Sequence, residues 1–260
     1  MMAESIPLRF AGAGRIARLR ELTGRDEYAV LGASTANAIA LLASLLDFEV
    51  TGGTPEFRAA DLVAADRDCL LAAVYKNAFG DRIESTLTCA GCSEPFDLDF
   101  SLDQLIDSIA GTKVDEGWKA LGDGRFEAAN GITFRLPTGN DELAGAGKTP
   151  AEVESFLLSR CTTEGTWPEG RLRFEELLEQ VAPLIDLELV ASCPECHHAH
   201  TVQFDIQTYL LGSIVAERRR LLAEINRIAR AYSWSLDEIL SLSRRDRRQF
   251  VGLIENEYVT

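Results

Sequence analysis

The chain lacks a long apolar run, and this shortage excludes a membrane-spanning protein. Its longest apolar stretch, AIALLASLL at residues 38–46, has about half of the roughly 20 residues that a spanning helix needs. The first residues, MMAESIPLRF, lack the basic start and the apolar stretch of a secretory signal peptide. We therefore expect no membrane segment, no membrane partner and a cytoplasmic protein.

Histidine is scarce and clustered, which argues against several classes of enzyme. All three histidines, His197, His198 and His200, lie side by side, so they cannot supply a dispersed Ser/His/Asp triad, and the HExxH motif is absent. The segment ELAGAGKT at 142–149 resembles a phosphate-binding loop, but Glu142 stands where that motif begins with glycine. We expect no enzyme, no catalytic residue and no small-molecule substrate.

The net charge of −15 limits the choice of partners. The acidic excess lies in residues 26–205, because arginines outnumber acids in residues 1–25 and 206–260. An acidic body disfavours nucleic acid and favours basic protein partners. One alternative stays open, a regulator that binds nucleic acid. RRDRR at 244–248 lies within a helical pattern that resembles a helix-turn-helix. With the zinc ribbon expected from the cysteines, the chain would then be a zinc-ribbon regulator.

Six cysteines in a cytoplasmic chain indicate metal binding rather than disulfides. Four of them form two CxxC pairs: Cys89 with Cys92, and Cys193 with Cys196. This spacing allows both thiolates of a pair to bind one ion. The two other cysteines stand alone in apolar helical patterns and are expected in the core: Cys69 and Cys161.

Alternating apolar residues on both sides of each CxxC pair are typical of a β-hairpin with the cysteines at its tip. Leu98 and Phe100 follow the first pair at the distances at which Val202 and Phe204 follow the second, which indicates two copies of one half-site. Four thiolates fill the coordination shell of Zn²⁺, as in structural rather than catalytic sites. The two pairs lie about a hundred residues apart, and closing a loop of that length costs about 4 kcal/mol. Structural zinc contributes roughly 10–16 kcal/mol. We therefore expect one structural zinc ion per chain.

Three other interpretations of the cysteines stay open. The pairs could be unrelated reduced thiols. They could form a redox dithiol, although neither pair opens a helix of a thioredoxin-like unit. One of the histidines beside the second pair could also replace a cysteine as a zinc ligand.

The patterns predict an α+β fold, mainly helical, with the two CxxC hairpins forming a composite zinc ribbon. Helices are predicted near 23–45, 58–79, 150–161, 172–184 and 206–231, and after Ser235 and Ser243. Asn130-Gly131 predicts a hairpin turn, and residues 138–150 are expected to be a loop. Three parts are predicted: a basic N-terminal arm at 1–25, a helical and zinc-ribbon body at 26–205, and a C-terminal helical segment at 206–260.

Three segments resemble the baseplate hub assembly family of T-even-type contractile phages, which also occurs beside phage-derived injection systems. They are RLRELTGRDE (18–27), ITFRLPTGNDELA (132–144) with LLSRC (157–161), and CPECHHAHTVQFDIQTYLLGSI (193–214) with AYSWSLDEILSL (231–242). The resemblance implies a non-catalytic assembly chaperone or minor component of the baseplate, with hub or spike proteins as partners. It implies a cytoplasmic location during assembly and leaves a place in the tail particle open. The zinc site rests on the cysteine spacing alone.

Two sets of residues are candidate contacts for such a partner. The basic set is Arg15, Arg18, Arg20 and Arg25. The aromatic and aliphatic set is Tyr232, Trp234, Ile239 and Leu242. Buried aromatic side chains often anchor interfaces. The alternatives are an arm folded onto the acidic body for the first set and ordinary helix packing for the second.

Overall fold

Helices and strands both contribute to the fold, and about half of the chain is helical. The computed structural model describes residues 4–10, 15–49, 57–110, 117–122, 124–167 and 171–257. The helices are α1 (Gly24–Ala29), α2 (Thr35–Leu45), α3 (Ala64–Phe79), α4 (Leu102–Ala110), α5 (Gly139–Gly145), α6 (Pro150–Cys161), α7 (Arg171–Val181), α8 (Ile206–Ala216), α9 (Arg218–Tyr232), α10 (Leu236–Leu240) and α11 (Arg244–Glu257). A 3₁₀ turn covers Ala59–Asp61.

Two small antiparallel sheets and two separate hairpins complete the fold. The strands are β1 (Glu4–Pro7), β2 (Ile16–Leu19), β3 (Leu46–Glu49), β4 (Arg82–Thr88), β5 (Pro95–Ser101), β6 (Trp118–Gly122), β7 (Arg125–Ala128), β8 (Thr133–Arg135), β9 (Thr162–Glu164), β10 (Asp186–Ser192) and β11 (Ala199–Asp205). The first sheet has the order β1-β2-β3 and the second the order β6-β7-β8-β9, while β4-β5 and β10-β11 pair only within their hairpins.

The basic N-terminal segment lies in the first sheet. Ala17 and Leu19 of β2 are buried and Arg18 between them is exposed, because successive side chains of a strand point to opposite faces. Leu8 and Leu22, on either side, also belong to the main core. The segment is thus extended, as predicted, and packed against the rest of the protein; the predicted boundary at residue 25 stays a prediction.

The main core lies between α2, α3 and α8. Leu42, Leu70, Leu71, Leu210 and Leu211 are completely buried there. Helix α3 ends at Phe79, as predicted, and Gly80 follows it with a φ of 96°, a value that only glycine adopts at little cost. This core carries the first hairpin on the end of α3 and the second hairpin on the start of α8.

Two helix predictions were wrong in their limits, and one loop prediction was wrong. The helix expected at 23–45 is broken in two, because Ser34 caps a new helix by accepting a hydrogen bond from the Asn37 N–H. The helix expected at 206–231 is interrupted at Glu217. Residues 138–150 were expected to be a loop but contain α5, whose start is stabilised by a capping box between Thr138 and Asp141.

The second sheet has its own small core. Phe126 and Phe134 are buried on neighbouring strands, with ring centroids 5.7 Å apart. Phe174 of α7 packs on Phe134 from the side. Gly131 has a φ of 81° in the turn between β7 and β8, so the hairpin turn predicted from Asn130-Gly131 is confirmed.

The C-terminal helices α9, α10 and α11 pack on one another, and the predicted helical character of this segment is confirmed. Their shared core consists of Ile228, Ile239, Val251 and Ile254. Ser235 and Glu238 form the predicted capping box at the start of α10. Within the described parts of the chain, no helix has the length and apolar character needed to cross a bilayer.

Candidate metal centre

The two CxxC hairpins have the same backbone geometry at their tips. In the first, the Ser93 N–H donates to the Cys89 carbonyl at 2.8 Å; in the second, the His197 N–H donates to the Cys193 carbonyl at 2.9 Å. Ser93 and His197 have positive φ values of 65° and 58°, which non-glycine residues seldom adopt. The repeated half-site predicted from the sequence is therefore also repeated in the backbone.

The four cysteine sulfurs meet between the two tips. The Sγ atoms of Cys89, Cys92, Cys193 and Cys196 all lie within 4.8 Å of one another. The closest pairs join the hairpins: Cys89 to Cys196 at 3.5 Å and Cys92 to Cys193 at 3.7 Å. Four thiolates about 2.3 Å from a tetrahedral zinc ion lie roughly 3.8 Å apart, so the observed set fits such an ion.

A small apolar cluster surrounds the sulfurs. Cys89 and Cys193 are buried together with Phe96 and Ala191, and Leu87 packs against them. Further along the hairpins, Phe100 and Phe204 pack edge to face at 5.1 Å. Because each hairpin covers the apolar side of the other, the cysteine tips are aligned by packing over the whole length of the strands.

Gly91 allows the two tips to approach closely. A Cβ atom at this position would lie 3.1 Å from the His198 Cβ and 3.3 Å from the Cys196 Sγ, tighter than ordinary van der Waals contact. The corresponding position of the second tip holds Glu195. The first tip therefore needs the smallest residue, whereas the second tolerates a long one.

Hydrogen bonds favour the ionised form of Cys89. Burial opposes ionisation of this sulfur, but hydrogen bonds from the Cys92 backbone, from His200 and from the Gly91 N–H outweigh it and lower the pKa of Cys89 to about 5. The His200 Nε2 and the Gly91 nitrogen each lie 3.3 Å from the sulfur. His200 thus lies next to a candidate ligand, and the alternative of a histidine ligand stays open.

Two other cysteines of the cluster, Cys92 and Cys196, hold their protons more tightly. A backbone N–H at Glu94 favours the Cys92 thiolate, but desolvation and the neighbouring sulfurs outweigh it and raise the pKa of Cys92 to about 12. The pKa of Cys196 is also raised, because hydrogen bonds with Cys89 and Cys193 oppose the effect of the His198 backbone. A metal ion bound here must displace these protons, so binding becomes tighter as the pH rises.

Cys69 and Cys161 lie outside this cluster. Cys161 is completely buried in the core of the second sheet, and burial raises its pKa to about 11. Cys69 is partly buried, and burial likewise raises the pKa of its thiol. The core position predicted for Cys161 is confirmed, whereas Cys69 is partly buried and does not belong to the core clusters of the described residues.

The basic residues predicted to contact a partner have neighbours within the protein. The Arg15 guanidinium lies 4.3 Å from the centroid of the Phe57 ring. Arg20 forms two hydrogen bonds of 2.8 Å to the Asp26 carboxylate. Arg25 forms an exposed ion pair with Asp237, and Arg18 is exposed on β2. Their role in partner binding stays a prediction.

The second predicted set lies in the C-terminal helices. Tyr232 and Trp234 are half-buried, and their rings pack against each other and against Phe250 at centroid distances of 5.0 to 5.6 Å. Ile239 is completely buried, and Leu242 is half-buried. Their role in docking also stays a prediction.

Sequence reasoning did not identify Gly91 as part of the site, and it named His200 only as one of three histidines that could replace a cysteine as a ligand. The contrast between CAGC and CPEC was a signal for Gly91, because only one tip carries a glycine at this position. His200 stands opposite Ala191 in the β10-β11 ladder, so its approach to Cys89 of the other hairpin depends on how the two hairpins pack.

These features define a mixed α/β protein in which four cysteines from two distant hairpins could hold a metal ion. The family model described as T4 bacteriophage base plate protein matches residues 6–162. This match covers more than half of the chain, which therefore belongs to that family. The matched region includes Cys89 and Cys92 and ends before Cys193. Neither a curated protein nor a solved structure matches the chain.

Proposed function

We propose that the protein is a non-enzymatic component or assembly chaperone of the baseplate hub of a contractile phage-type tail or injection system. Membership of the base plate family is the observation that carries this proposal, since it supports a structural role associated with a phage baseplate. The direct partners are hub or spike proteins. The protein acts in the cytoplasm during assembly.

We further propose that one structural Zn²⁺ ion, bound by Cys89, Cys92, Cys193 and Cys196, makes the two hairpins a composite zinc ribbon. The mutual distances of the four sulfurs support this assignment, as does the buried apolar cluster around them. Zinc would supply cross-linking energy rather than catalysis, since four thiolates leave no position for a water or substrate.

A rigid body suits a part that must present fixed surfaces to several neighbours. The sulfur contacts join positions that are 107 and 101 residues apart in the chain. Without the metal, apolar packing around the sulfurs and between Phe100 and Phe204 would have to hold the four cysteines together. Metal binding is therefore coupled to folding, and the metal-free protein would be a poor building part.

The role in assembly is tested by deleting the gene in a producing strain and imaging the particles by electron microscopy. We expect no complete baseplates, and restoration by the parent gene. A gene carrying Cys89→Ser should restore assembly poorly, whereas Cys69→Ser, which changes a cysteine outside the cluster, should restore it. Normal particles after deletion would refute the proposed role.

Mass spectrometry of purified particles, beside the lysate of the producing cells, separates a component from a chaperone. A component should be found in both samples at a fixed ratio to the hub proteins. A chaperone should be found in the lysate, bound to a hub or spike protein, and be missing from the particles. Absence of hub and spike proteins from complexes purified with the chain would contradict both roles.

Elemental analysis of the purified chain tests the metal. We expect about one zinc ion per chain, lost in Cys89→Ser and in Cys193→Ser. Retention of zinc in both variants would rule out the four-cysteine site.

A further inference from the structure

Two loops of the chain have nearly the same sequence, RELTGRDE at 20–27 and RLPTGNDE at 135–142. Their central threonines have almost identical backbone angles: Thr23 has φ −104° and ψ 168°, and Thr138 has φ −105° and ψ 167°. Each threonine precedes a helix that begins at the next glycine. The two segments are therefore the same structural unit, present twice.

The same hydrogen bonds hold both loops together. Asp26 accepts from the backbone N–H and the side-chain hydroxyl of Thr23, and Asp141 does the same with Thr138. Each aspartate also accepts two hydrogen bonds from the guanidinium of the arginine that opens its loop. Burial alone would raise the pKa of both carboxyls, but these hydrogen bonds hold it below the ordinary range.

Each loop docks on the start of a helix from elsewhere in the chain. The N–H of Gly24 donates to the Leu242 carbonyl at 3.0 Å, and the N–H of Gly139 donates to the Leu62 carbonyl at 2.9 Å. Isolated β-bridges, Thr23 with Ser243 and Thr138 with Val63, lie directly beside these hydrogen bonds. Backbone pairing thus fixes the same register in both places.

An ion pair completes each contact. The last residue of the first loop, Glu27, accepts from Arg247 at 2.8 Å, and the last residue of the second, Glu142, accepts from Arg67 at 2.8 Å. Both arginines follow an aspartate near the start of the docked helix, in the segments LSRRDR (242–247) and LVAADR (62–67). The docked helices therefore share a leucine, a bridging residue and the pair Asp-Arg at the same spacing.

Both loops need their glycine for this close approach. A Cβ atom at Gly24 would lie 2.8 Å from an Arg247 nitrogen and 3.3 Å from the Leu240 Cα. A Cβ atom at Gly139 would lie 2.7 Å from the Ile39 Cδ1 and 3.1 Å from the Ala60 carbonyl oxygen. The shared TG dipeptide is thus explained by contact with the docked segment in both copies.

The surrounding elements repeat in the same order. Each loop follows the inner strand of three paired strands, β2 or β8, and is followed by two helices and a strand that pairs back onto it, β3 or β9. A further helix, a CxxC hairpin and a helix that begins directly after the hairpin then follow in both halves. The order of elements from β1 to α8 is therefore repeated, apart from the 3₁₀ turn in the first half and β6 in the second, and α9 to α11 lie outside the repeat.

The docking contacts have a direction. The loop of the second repeat docks on the start of α3, which belongs to the first repeat. The loop of the first repeat docks instead on the start of α11, which lies outside the two repeats. A segment outside the repeats thus covers on the first loop the same surface that α3 covers on the second.

We propose that the two loops are copies of one docking site for a helix start of the pattern Leu-x-x-x-Asp-Arg. The first copy is occupied by the C-terminal arm, the helices α9 to α11 of the same chain. In this view the start of α11 takes at the first loop the place that the start of α3 takes at the second. The site recognises the backbone before the helix through the TG dipeptide and the arginine through the glutamate.

A graft in the full-length chain tests this equivalence. The changes Ser241→Asp, Ser243→Val and Arg245→Ala convert residues 241–247 into DLVRADR, which differs from the sequence DLVAADR of residues 61–67 at Arg244 alone. Arg244 is kept because its guanidinium also donates to Glu27, at 3.1 Å. Amide hydrogen exchange of α11 reports whether the arm stays docked. We expect protection of these amides to fall less than about tenfold in the graft, and at least about tenfold more when Arg247→Met is added to it.

Two results would overturn the proposal. One is a graft whose α11 amides exchange as fast as those of Arg247→Met in the parent sequence. The other is a grafted chain in which Arg247→Met has no effect, since the glutamate contact would then not hold the arm. Exchange of the α3 amides, measured in the same samples, shows whether the body is folded. If the body is unfolded in the Arg247→Met variants, the experiment is repeated with Glu27→Gln, a milder change. The same two results would then overturn the proposal.

Discussion

The candidate metal centre and the contact that holds the C-terminal arm are two joints, each of which connects parts of the chain that are far apart in sequence. They use different forces. The sulfur contacts join residues 107 apart, and the Glu27–Arg247 ion pair joins residues 220 apart. At the metal centre, four similar groups converge and would repel one another as thiolates. At the arm, opposite charges already satisfy each other: Arg247, 1% exposed, lies between Glu27 and Glu224.

The comparison shows two ways in which distant parts of the chain can be held in one fixed arrangement. In the proposed zinc site four thiolates need an external cation, so the stability of the first joint would depend on metal supply. A buried ion pair contributes little net energy compared with apolar packing, but removing one partner leaves an uncompensated charge. The first joint should therefore respond to chelators, and the second to single charge deletions.

The largest effect is expected from Cys89→Ser. Removing one of four ligands should abolish tight zinc binding and lower the free energy of unfolding by at least about 5 kcal/mol. Denaturation followed by circular dichroism, with zinc content measured in parallel, checks this. Cys69→Ser is the matched control and should cost about 1 kcal/mol with zinc retained. Equal effects of the two changes would contradict the metal joint.

Arg247→Met should have the next largest effect. It removes a buried guanidinium from Glu27 and Glu224 but leaves Glu27 paired with Arg244 and Glu224 with Arg220, so the cost should lie at the lower end of the range for a broken buried pair, about 3 kcal/mol. Arg248→Met, at an exposed position with weaker contacts to Glu217 and Glu224, should cost less than about 1 kcal/mol. The Arg247→Met effect should be the same with and without a zinc chelator; a dependence on zinc would show that the two joints are not separate.

Asp68 offers a third kind of joint, with neither a metal nor a full ion pair. Its buried carboxylate accepts the Ile185 N–H at 3.1 Å, just before β10 begins. Desolvation raises the pKa of Asp68 to about 7, helped by Asp205 and Glu142 and opposed by Arg67 and the Ile185 N–H. A hydrogen bond to Asp68 thus connects the start of the second CxxC hairpin to α3, and the protonated form of this carboxyl group is favoured.

This raised pKa predicts a pH dependence of stability. The folded protein keeps a proton on Asp68 that the unfolded chain loses above about pH 4, so this contribution is complete below pH 4 and declines as the pH rises to about 7. The decline should reach at most about 1.4 kcal/mol per pH unit. Asp68→Asn, which keeps an acceptor for Ile185, should remove it. Parallel stability curves for parent and variant between pH 4 and 7 would contradict the assignment.

The smallest effect is expected from Ser235→Ala, which removes the cap of α10. Its hydroxyl accepts from the Glu238 N–H and donates to the Glu238 carboxylate, and loss of such a cap costs about 1 kcal/mol. Amide exchange should increase in α10 and α11 and stay unchanged in the two CxxC hairpins. Thr149→Ala, which breaks the capping box of α6, is the matched control and should leave the arm unaffected.

The hairpins and the four candidate ligands could be predicted because their signals are local. Cysteine spacing and strand alternation are read within about fifteen residues, and the helix stop at Gly80 and the turn at Gly131 depend on single residues. The breaks near Ser34 and Glu217 were missed, because apolar periodicity continues across them and the choice depends on how the flanking helices pack. The capped helix α5 was missed because its glycines favoured a loop.

By itself, the sequence determined the four candidate ligands, the acidic character of the body and the repeated half-site, since these follow from residue identity and spacing. Tertiary structure alone decided that the four sulfurs meet, that His200 reaches Cys89 across the two hairpins, and that Arg244 and Arg247 lie buried against Glu27. These contacts join residues more than a hundred positions apart, and local patterns carry no information about such pairs. Only the packing of the whole chain brings them together.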